Sequence, residues 1–336
     1  MKILLVQTSF LGDTILSTPV IAGIKSLFPE SELWMMTTPL SADLVIRDPY
    51  IEGILSLDKR KEDAGPIGLV RKAREIRSMR FDRVYSLHRS YRTSLLLWLA
   101  RIPLRIGFSD AKLSFFYHQR KDRDFTRHAI IRNFSILDGE SAYKPESLKL
   151  RLFPPAIDEL RFDLQNRIKR SGRFAVVVPG SNWHTKMWHW RGYREVVRHI
   201  LDRNLNIVLL GGAGDRKICA KIASGMPAID LSGRTTIAEA MAIVQRARLV
   251  VCNDSMSLHM ASAMKIPTVV IFCATSPKFG FGPWQNNAII IEQPNLECKP
   301  CRPHGSAQCP NKTETCMHGP KPQVVIHAVE QLLNPR

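Results

Sequence analysis

Short apolar runs recur along the chain, each followed by a longer stretch with helical spacing of its hydrophobic positions. In the first half the runs are residues 3–7, 32–37, 54–57, 83–87 and 105–107. Runs of this length, rich in Val, Ile and Leu, predict strands buried on both faces. Helical patterns lie between them: one through Leu27 that Pro19 is expected to bend, a basic one at 68–79 and an apolar one at 93–100. The rhythm breaks over 143–171, where Pro145, Pro154 and Pro155 stand among charged residues. It then restarts, with strands predicted at 174–178, 206–211, 228–231, 249–253, 268–272 and 288–291, and helices from Trp190, Arg216, Ile237, Ser257 and Val324. Such alternation predicts an α/β protein of two doubly wound domains with mainly parallel sheets. The expected boundaries are 1–160, 172–323 and a C-terminal helix at 324–336. Two such domains facing each other would bind ligands at the carboxyl ends of their strands.

Composition supports that division, because 336 residues with 45% hydrophobic content can bury two ordinary cores. No stretch approaches the ~18 unbroken apolar residues of a membrane span, and the chain opens on a strand pattern rather than a signal sequence. A soluble cytoplasmic protein of two domains, expected to be a monomer, would fit; no repeat or low-complexity segment suggests otherwise. The net charge is +18, and residues 51–132 alone hold 19 Lys and Arg against 9 Asp and Glu. That field attracts polyanions such as nucleic acid, anionic lipid or a phosphorylated glycan, although dispersed charge also serves solubility. Neither a G-x-G-x-x-G fingerprint nor a G-x-x-x-x-G-K-S/T loop is present, which removes the main support for a nicotinamide dehydrogenase or a P-loop NTPase.

Three strand-to-helix junctions carry the candidate chemistry. In ARLVVCNDSMSLHMASAM a strand ends in Asn253-Asp254-Ser255 and a helix with His259 follows. The first N–H groups of a helix lack intrahelical partners and, with the helix dipole, favour an anion such as phosphate. Taken alone, Asp254 or Ser255 also reads as a plain cap. At the start of the chain Thr8-Ser9-Phe10-Leu11-Gly12-Asp13 follows the first strand, so Asp13 is either a helix cap or a catalytic carboxylate at the mouth of the sheet. In RFAVVVPGSNWHTKMWHW, Ser181, Asn182 and Lys186 form a second donor-rich loop, and Lys186 suits a diphosphate as a point charge. Trp183, Trp188 and Trp190 are core or pocket wall. Gly211-Gly212-Ala213-Gly214-Asp215 allows close backbone approach, with Asp215 a candidate for ribose hydroxyls, and Ser232 to Thr236 could line a base pocket or cap a helix.

Seven cysteines divide into two groups. Cys219, Cys252 and Cys273 fall on apolar elements and are expected to be buried and inert. Cys298, Cys301, Cys309 and Cys316 lie in a Pro- and Gly-rich loop. Their spacing leaves two readings open, a tetrahedral structural Zn²⁺ or reduced or partly paired thiols.

Together, QTSFLGDTILSTP, DRVYSLHRSYRTS, PGSNWHTKMW, LLGGAGD, DLSGRTTIAEA and NDSMSLHMASA followed by TSP resemble the ADP-heptose:lipopolysaccharide heptosyltransferases, most nearly the heptosyltransferase II branch. The chain departs from the family pattern at Met256, where members carry Gly, and at Cys273-Ala274, where they carry Gly-Pro. The resemblance implies a GT-B fold and an inverting, metal-independent transfer from ADP-L-glycero-β-D-manno-heptose to the inner core of lipopolysaccharide. No cofactor would be needed. Asp13 would be the general base; Ser181, Asn182, Lys186, Asp215, Asp254, Ser255, Met256 and His259 would bind the donor. Ser9, Arg60, Arg89, Arg92 and Arg120 would meet a phosphorylated acceptor at the cytoplasmic face of the inner membrane, where each basic side chain contributes roughly 1 kcal/mol toward anionic lipid. Three alternatives remain: a different nucleotide-sugar donor, a sugar-nucleotide epimerase, which needs further acid-base groups, and a basic nucleic-acid-binding protein, for which no binding module is visible.

Overall fold

The computed structural model describes residues 1–140, 143–302 and 304–334. The chain forms two compact units, Met1–Phe153 and the residues from Pro154 onward. The last two residues of the expected C-terminal helix, Pro335 and Arg336, lie outside the described residues.

Unit 1 is built on six parallel strands: β1 (Lys2–Val6), β2 (Glu32–Thr37), β3 (Gly53–Ser56), β4 (Arg83–Ser86), β5 (Leu104–Phe108) and β6 (Gln119–Lys121). Their order is β3-β2-β1-β4-β5-β6. Ile3, Leu4, Leu5 and Val6 of the central strand are fully buried, as a strand covered by helices on both faces requires. On one face the helices Gly65–Ser78 and Tyr91–Leu99 pack Leu69, Ala73, Ile76, Leu96 and Leu97 against Leu4, Val6 and Val84. Pro19 lies inside the helix Leu11–Leu27, and the helix continues through it. The polar strand β6 escaped the apolar pattern because its three residues, Gln-Arg-Lys, form an exposed edge.

Unit 2 repeats the arrangement with β7 (Phe174–Val178), β8 (Asn206–Leu209), β9 (Ala228–Asp230), β10 (Leu249–Asn253), β11 (Thr268–Phe272) and β12 (Ala288–Glu292), all parallel, in the order β12-β11-β10-β7-β8-β9. Counted from its own first strand, this is the topology of unit 1. The core below the sheet joins Trp188, Tyr193, Val196, Val197 and Ile200 to Val325, Ala328, Val329 and Leu332 of the helix Pro322–Leu333. Trp188 is core rather than pocket wall, and it fits only because Gly192 has no side chain: a Cβ there would lie 2.2 Å from the indole. The helices expected from Trp190, Arg216 and Ile237 begin at those residues, and others begin one to three residues earlier than expected. The helix expected from Ser257 begins at Met256 behind Ser255 as its N-cap, and the one expected from Val324 begins at Pro322.

Each sheet reverses its strand order once, between β1 and β4 and between β7 and β10. In open parallel sheets the crevice outside the carboxyl ends at such a reversal is where ligands bind. Ser9, Asp13 and Arg89 follow the strands of the first reversal, and Ser181, Asn182, Lys186, Asp254, Ser255, Met256 and His259 those of the second.

Candidate active site

In unit 1 the register sets Val6 beside Ser86, so the chain leaves β1 and β4 with Thr8 next to His88. Nδ1 of His88 lies 3.0 Å from the Thr8 hydroxyl and 2.7 Å from that of Thr93. Burial, reinforced by the Lys59, Arg123 and Arg89 charges, pushes the imidazole down to about 3, so at neutral pH it is uncharged and Nδ1 can accept from a hydroxyl. Lys59 donates to the Thr8 carbonyl at 2.8 Å. Burial first, then the nearby Arg92, lowers its ammonium to about 8.

Asp13 occupies the third position of the helix Leu11–Leu27, and its Oδ2 accepts from the Phe10 N–H at 3.3 Å. It thus serves as a cap in this structure, while its carboxylate also lies within the electrostatic reach of Arg123 and Arg132. Arg123 is largely buried, stacked 3.7 Å above the centre of the Phe108 ring and 3.8 Å from Asp110; burial lowers it to about 10. Arg89 shares Asp110 at 3.1 Å. Together these make a cationic lining around the head of the first helix.

The other expected acceptor residues are placed unevenly. The Ser9 N–H donates to the Gln7 side chain at 3.2 Å, in the loop that leads to Asp13. Arg92 spends its guanidinium on the backbone carbonyls of Asp63 and, at 3.0 Å, Gly65, which ties the helix Tyr91–Leu99 to the start of Gly65–Ser78. Arg60 is exposed in the loop after β3, its N–H bonded to Asp58. Arg120 stands on the edge strand β6, beside Gly107 rather than at a strand end.

In unit 2 the loops after β7 and β10 interlock. The amide of Asn253, fully buried, accepts from the Trp188 N–H at 2.9 Å and donates to the Pro179 carbonyl at 2.7 Å. The next residue, Asp254, is 4% exposed and holds the Lys186 ammonium at 2.7 Å. The same carboxylate oxygen accepts from Thr275 Oγ1 at 2.7 Å. An ammonium has three donors, so this pair orients Lys186 and leaves N–H groups for a ligand. The Ser181 hydroxyl reaches the Asp254 carbonyl at 3.5 Å, and Asn182 is exposed beside it.

Ser255 then opens the helix Met256–Ala263, but its side chain caps nothing: Oγ is buried without a hydrogen-bond partner among the described residues. Met256 forms the first turn, and His259 is buried one turn further on. Asp215, at the end of β8, turns its carboxylate inward, accepting from the Gly212 N–H at 2.8 Å. Gly180 packs directly on it, where a Cβ would lie 2.3 Å away, and burial raises the acid.

Sequence reasoning missed His88, Lys59, Arg123, Arg132 and Thr275. Only two had a local signal, His88 just past a strand and Thr275 in the Thr-Ser-Pro turn; Arg123 arrives from the loop after β6 and Arg132 from the short helix Ala129–Phe134, neither with a motif. Cys219, Cys252 and Cys273 are buried, as expected, and all seven cysteines are free. Among the described residues no group of three or more His, Cys, Asp or Glu side chains is arranged to hold a metal ion. Among the same residues no helix is long and apolar enough to cross a membrane.

The model of glycosyltransferase family 9 (heptosyltransferase) matches residues 69–312. The chain is 23% identical over 309 residues to lipopolysaccharide heptosyltransferase 2 of Escherichia coli K12, covering 83% of this chain and 84% of that protein. It is similar in structure to a family 9 glycosyltransferase from Veillonella parvula, with a TM-score of 0.84 at 22% identity over 99% of this chain and 97% of the other. The E. coli ADP-heptose lps heptosyltransferase II superposes with a TM-score of 0.79 at 19% identity, covering 99% and 98%. The two parallel-sheet, Rossmann-like lobes are those of the GT-B fold.

Proposed function

Since the chain belongs to glycosyltransferase family 9, the heptosyltransferases, we propose that it transfers a heptose from ADP-L-glycero-β-D-manno-heptose to a hydroxyl of a phosphorylated lipopolysaccharide inner core, with inversion at the anomeric carbon. The observation that carries the reading is the Lys186–Asp254–Thr275 cluster beside the uncapped Ser255. It presents a fixed ammonium, a spare hydroxyl and free helix N–H groups at the switch point of the sheet, a combination suited to a diphosphate.

In the proposed reaction Asp13 takes the proton of the acceptor hydroxyl as its oxygen attacks the anomeric carbon. The bond from that carbon to the β-phosphate oxygen breaks, and ADP leaves with the electron pair. Lys186, the Ser255 hydroxyl and the N–H groups at Ser255 and Met256 meet the charge that develops on the diphosphate, with Ser181 and Asn182 lining the same loop. Asp254 acts by orienting Lys186, and His259 lies behind the diphosphate loop. Asp215 is tied up by its own turn, so it would reach a ribose only by releasing the Gly212 N–H. On the acceptor side, Arg123 and Arg132, with Arg89 on the shared Asp110, offer charge toward Asp13 for an anionic core sugar, and Ser9, Arg60, Arg92 and Arg120 would add further contacts.

Release of nucleotide diphosphate from ADP-heptose, UDP-sugars and GDP-sugars, with a deacylated core acceptor and EDTA present, tests the donor. Only ADP-heptose should turn over. Asp13→Asn should cut turnover about 10²- to 10⁴-fold with ADP affinity little changed, and Lys186→Ala should weaken ADP binding by about tenfold or more. An Asp13→Asn variant of full activity removes the base.

A further inference from the structure

The proposed chemistry uses nothing from residues 305–320, a stretch whose sole regular element is the short helix Thr315–His318. Yet this stretch grips the loop that carries Lys186. The N–H and the hydroxyl of Thr185 both donate to the Ser306 carbonyl, at 3.2 and 3.0 Å, and the Ser306 N–H returns a bond to the Thr185 hydroxyl at 2.8 Å. Thr185 is 2% exposed, so this three-bond clasp is shielded from water.

Gly305, at a φ of +74°, lies on the aliphatic stem of Lys186: a Cβ there would be 3.0 Å from Lys186 Cγ and 3.3 Å from Trp183 Cβ. Further along, Glu314 meets His184 at 3.1 Å, the Met317 carbonyl accepts from the His189 N–H at 3.3 Å, and the Pro320 carbonyl accepts from the Trp188 indole at 2.9 Å. The gripped loop has only a single 3-10 turn, His184–Lys186, to fix itself.

We propose that residues 305–320 are a positioning strap for the donor diphosphate site, with Thr185 and Ser306 as its clasp and Gly305 as the surface against which the Lys186 side chain lies. The inference rests on the reading of Lys186 as a diphosphate ligand. A free lysine stem samples many rotamers and loses that freedom on binding, and Asp254 fixes only its tip. The strap fixes the stem and the backbone below it, so the ammonium is already in place when the ligand arrives.

The test is ADP binding by calorimetry, with donor and acceptor KM values, for Thr185→Val, Thr185→Ser, Gly305→Ala, Lys186→Ala and the Thr185→Val/Lys186→Ala double variant. Thr185→Val removes the hydroxyl from the clasp, and Gly305→Ala keeps that hydroxyl but presses a methyl onto the lysine stem and, 3.2 Å away, onto the Thr185 Oγ1. Each should weaken ADP and raise the donor KM about tenfold, while the acceptor KM stays constant. Thr185→Ser should restore binding. The double variant should bind ADP no worse than Lys186→Ala alone, because the strap acts through that side chain. If Lys186→Ala binds ADP weakly while Thr185→Val and Gly305→Ala bind it normally, or if the double variant's losses add, the strap is refuted. An unaltered ADP affinity in Lys186→Ala refutes instead the donor-site reading beneath it.

Discussion

His88 shows how one buried side chain can write a pH dependence into the fold. Its folded value of about 3 lies well below the 6.5 of a free imidazole. Between those values the unfolded chain holds a proton that the folded chain refuses, so stability falls as pH falls through 6.5, at about 1.4 kcal/mol per pH unit. Above pH 6.5 the effect vanishes. Urea unfolding at pH 6.5 and 4.5 should therefore show an acid loss in the natural protein that shrinks in His88→Gln; equal losses in both would mean that the imidazole is not held neutral. At this scale the sequence was legible where a motif carried the chemistry. Asp254 and Ser255 follow a strand directly, and Asp13 and Lys186 stand in the first turn or loop after one, so position along the chain places each beyond a strand's carboxyl end. Arg123 and Arg132 follow β6, an edge strand too polar to recognise, and they reach Asp13 only through the tertiary fold.

Elements were legible according to how deeply they are buried. β7, β10 and β11 are buried at every position and stand out as unbroken apolar runs. Helix beginnings were less so, because caps and Pro residues sit outside the periodic pattern: Ser90 and Pro66 start their helices before the first apolar repeat. The loop holding Cys298, Cys301, Cys309 and Cys316 is the hardest case, since its stability comes from contacts to other loops. Cys298 and Cys309 lie within electrostatic reach of Cys316, and backbone N–H groups, foremost that of Glu314, favour the thiolate of Cys309. A thiolate surrounded by N–H donors is a better metal ligand than a bare thiol. Cys316 runs the other way, burial pushing its thiol up to about 11, so the metal content of protein purified without EDTA decides between a structural zinc, at about one per chain, and reduced or partly paired thiols. Metal analysis giving well under that ratio would leave the loop to its hydrogen bonds.

For the molecule as a whole, charge and topology separate. The cationic excess between residues 51 and 132 belongs to unit 1, the unit that bears Asp13. Under the proposed function it draws the enzyme to an anionic surface that displays the acceptor. Co-sedimentation with vesicles containing anionic lipid should be strong at low salt and fall steeply as ionic strength rises, while neutral vesicles leave the protein in solution. Salt-insensitive or neutral-vesicle binding would contradict that role, and tighter binding to DNA than to vesicles would favour the nucleic-acid reading. The two sheets carry a different lesson. Neither borrows a strand from the other, and the chain passes from one unit to the next once, at the bond between Phe153 and Pro154. That single crossing makes the protein severable. Under the proposed function, a chimera joined there would inherit one parent's acceptor preference and the other's nucleotide grip, with every ladder of both parents whole.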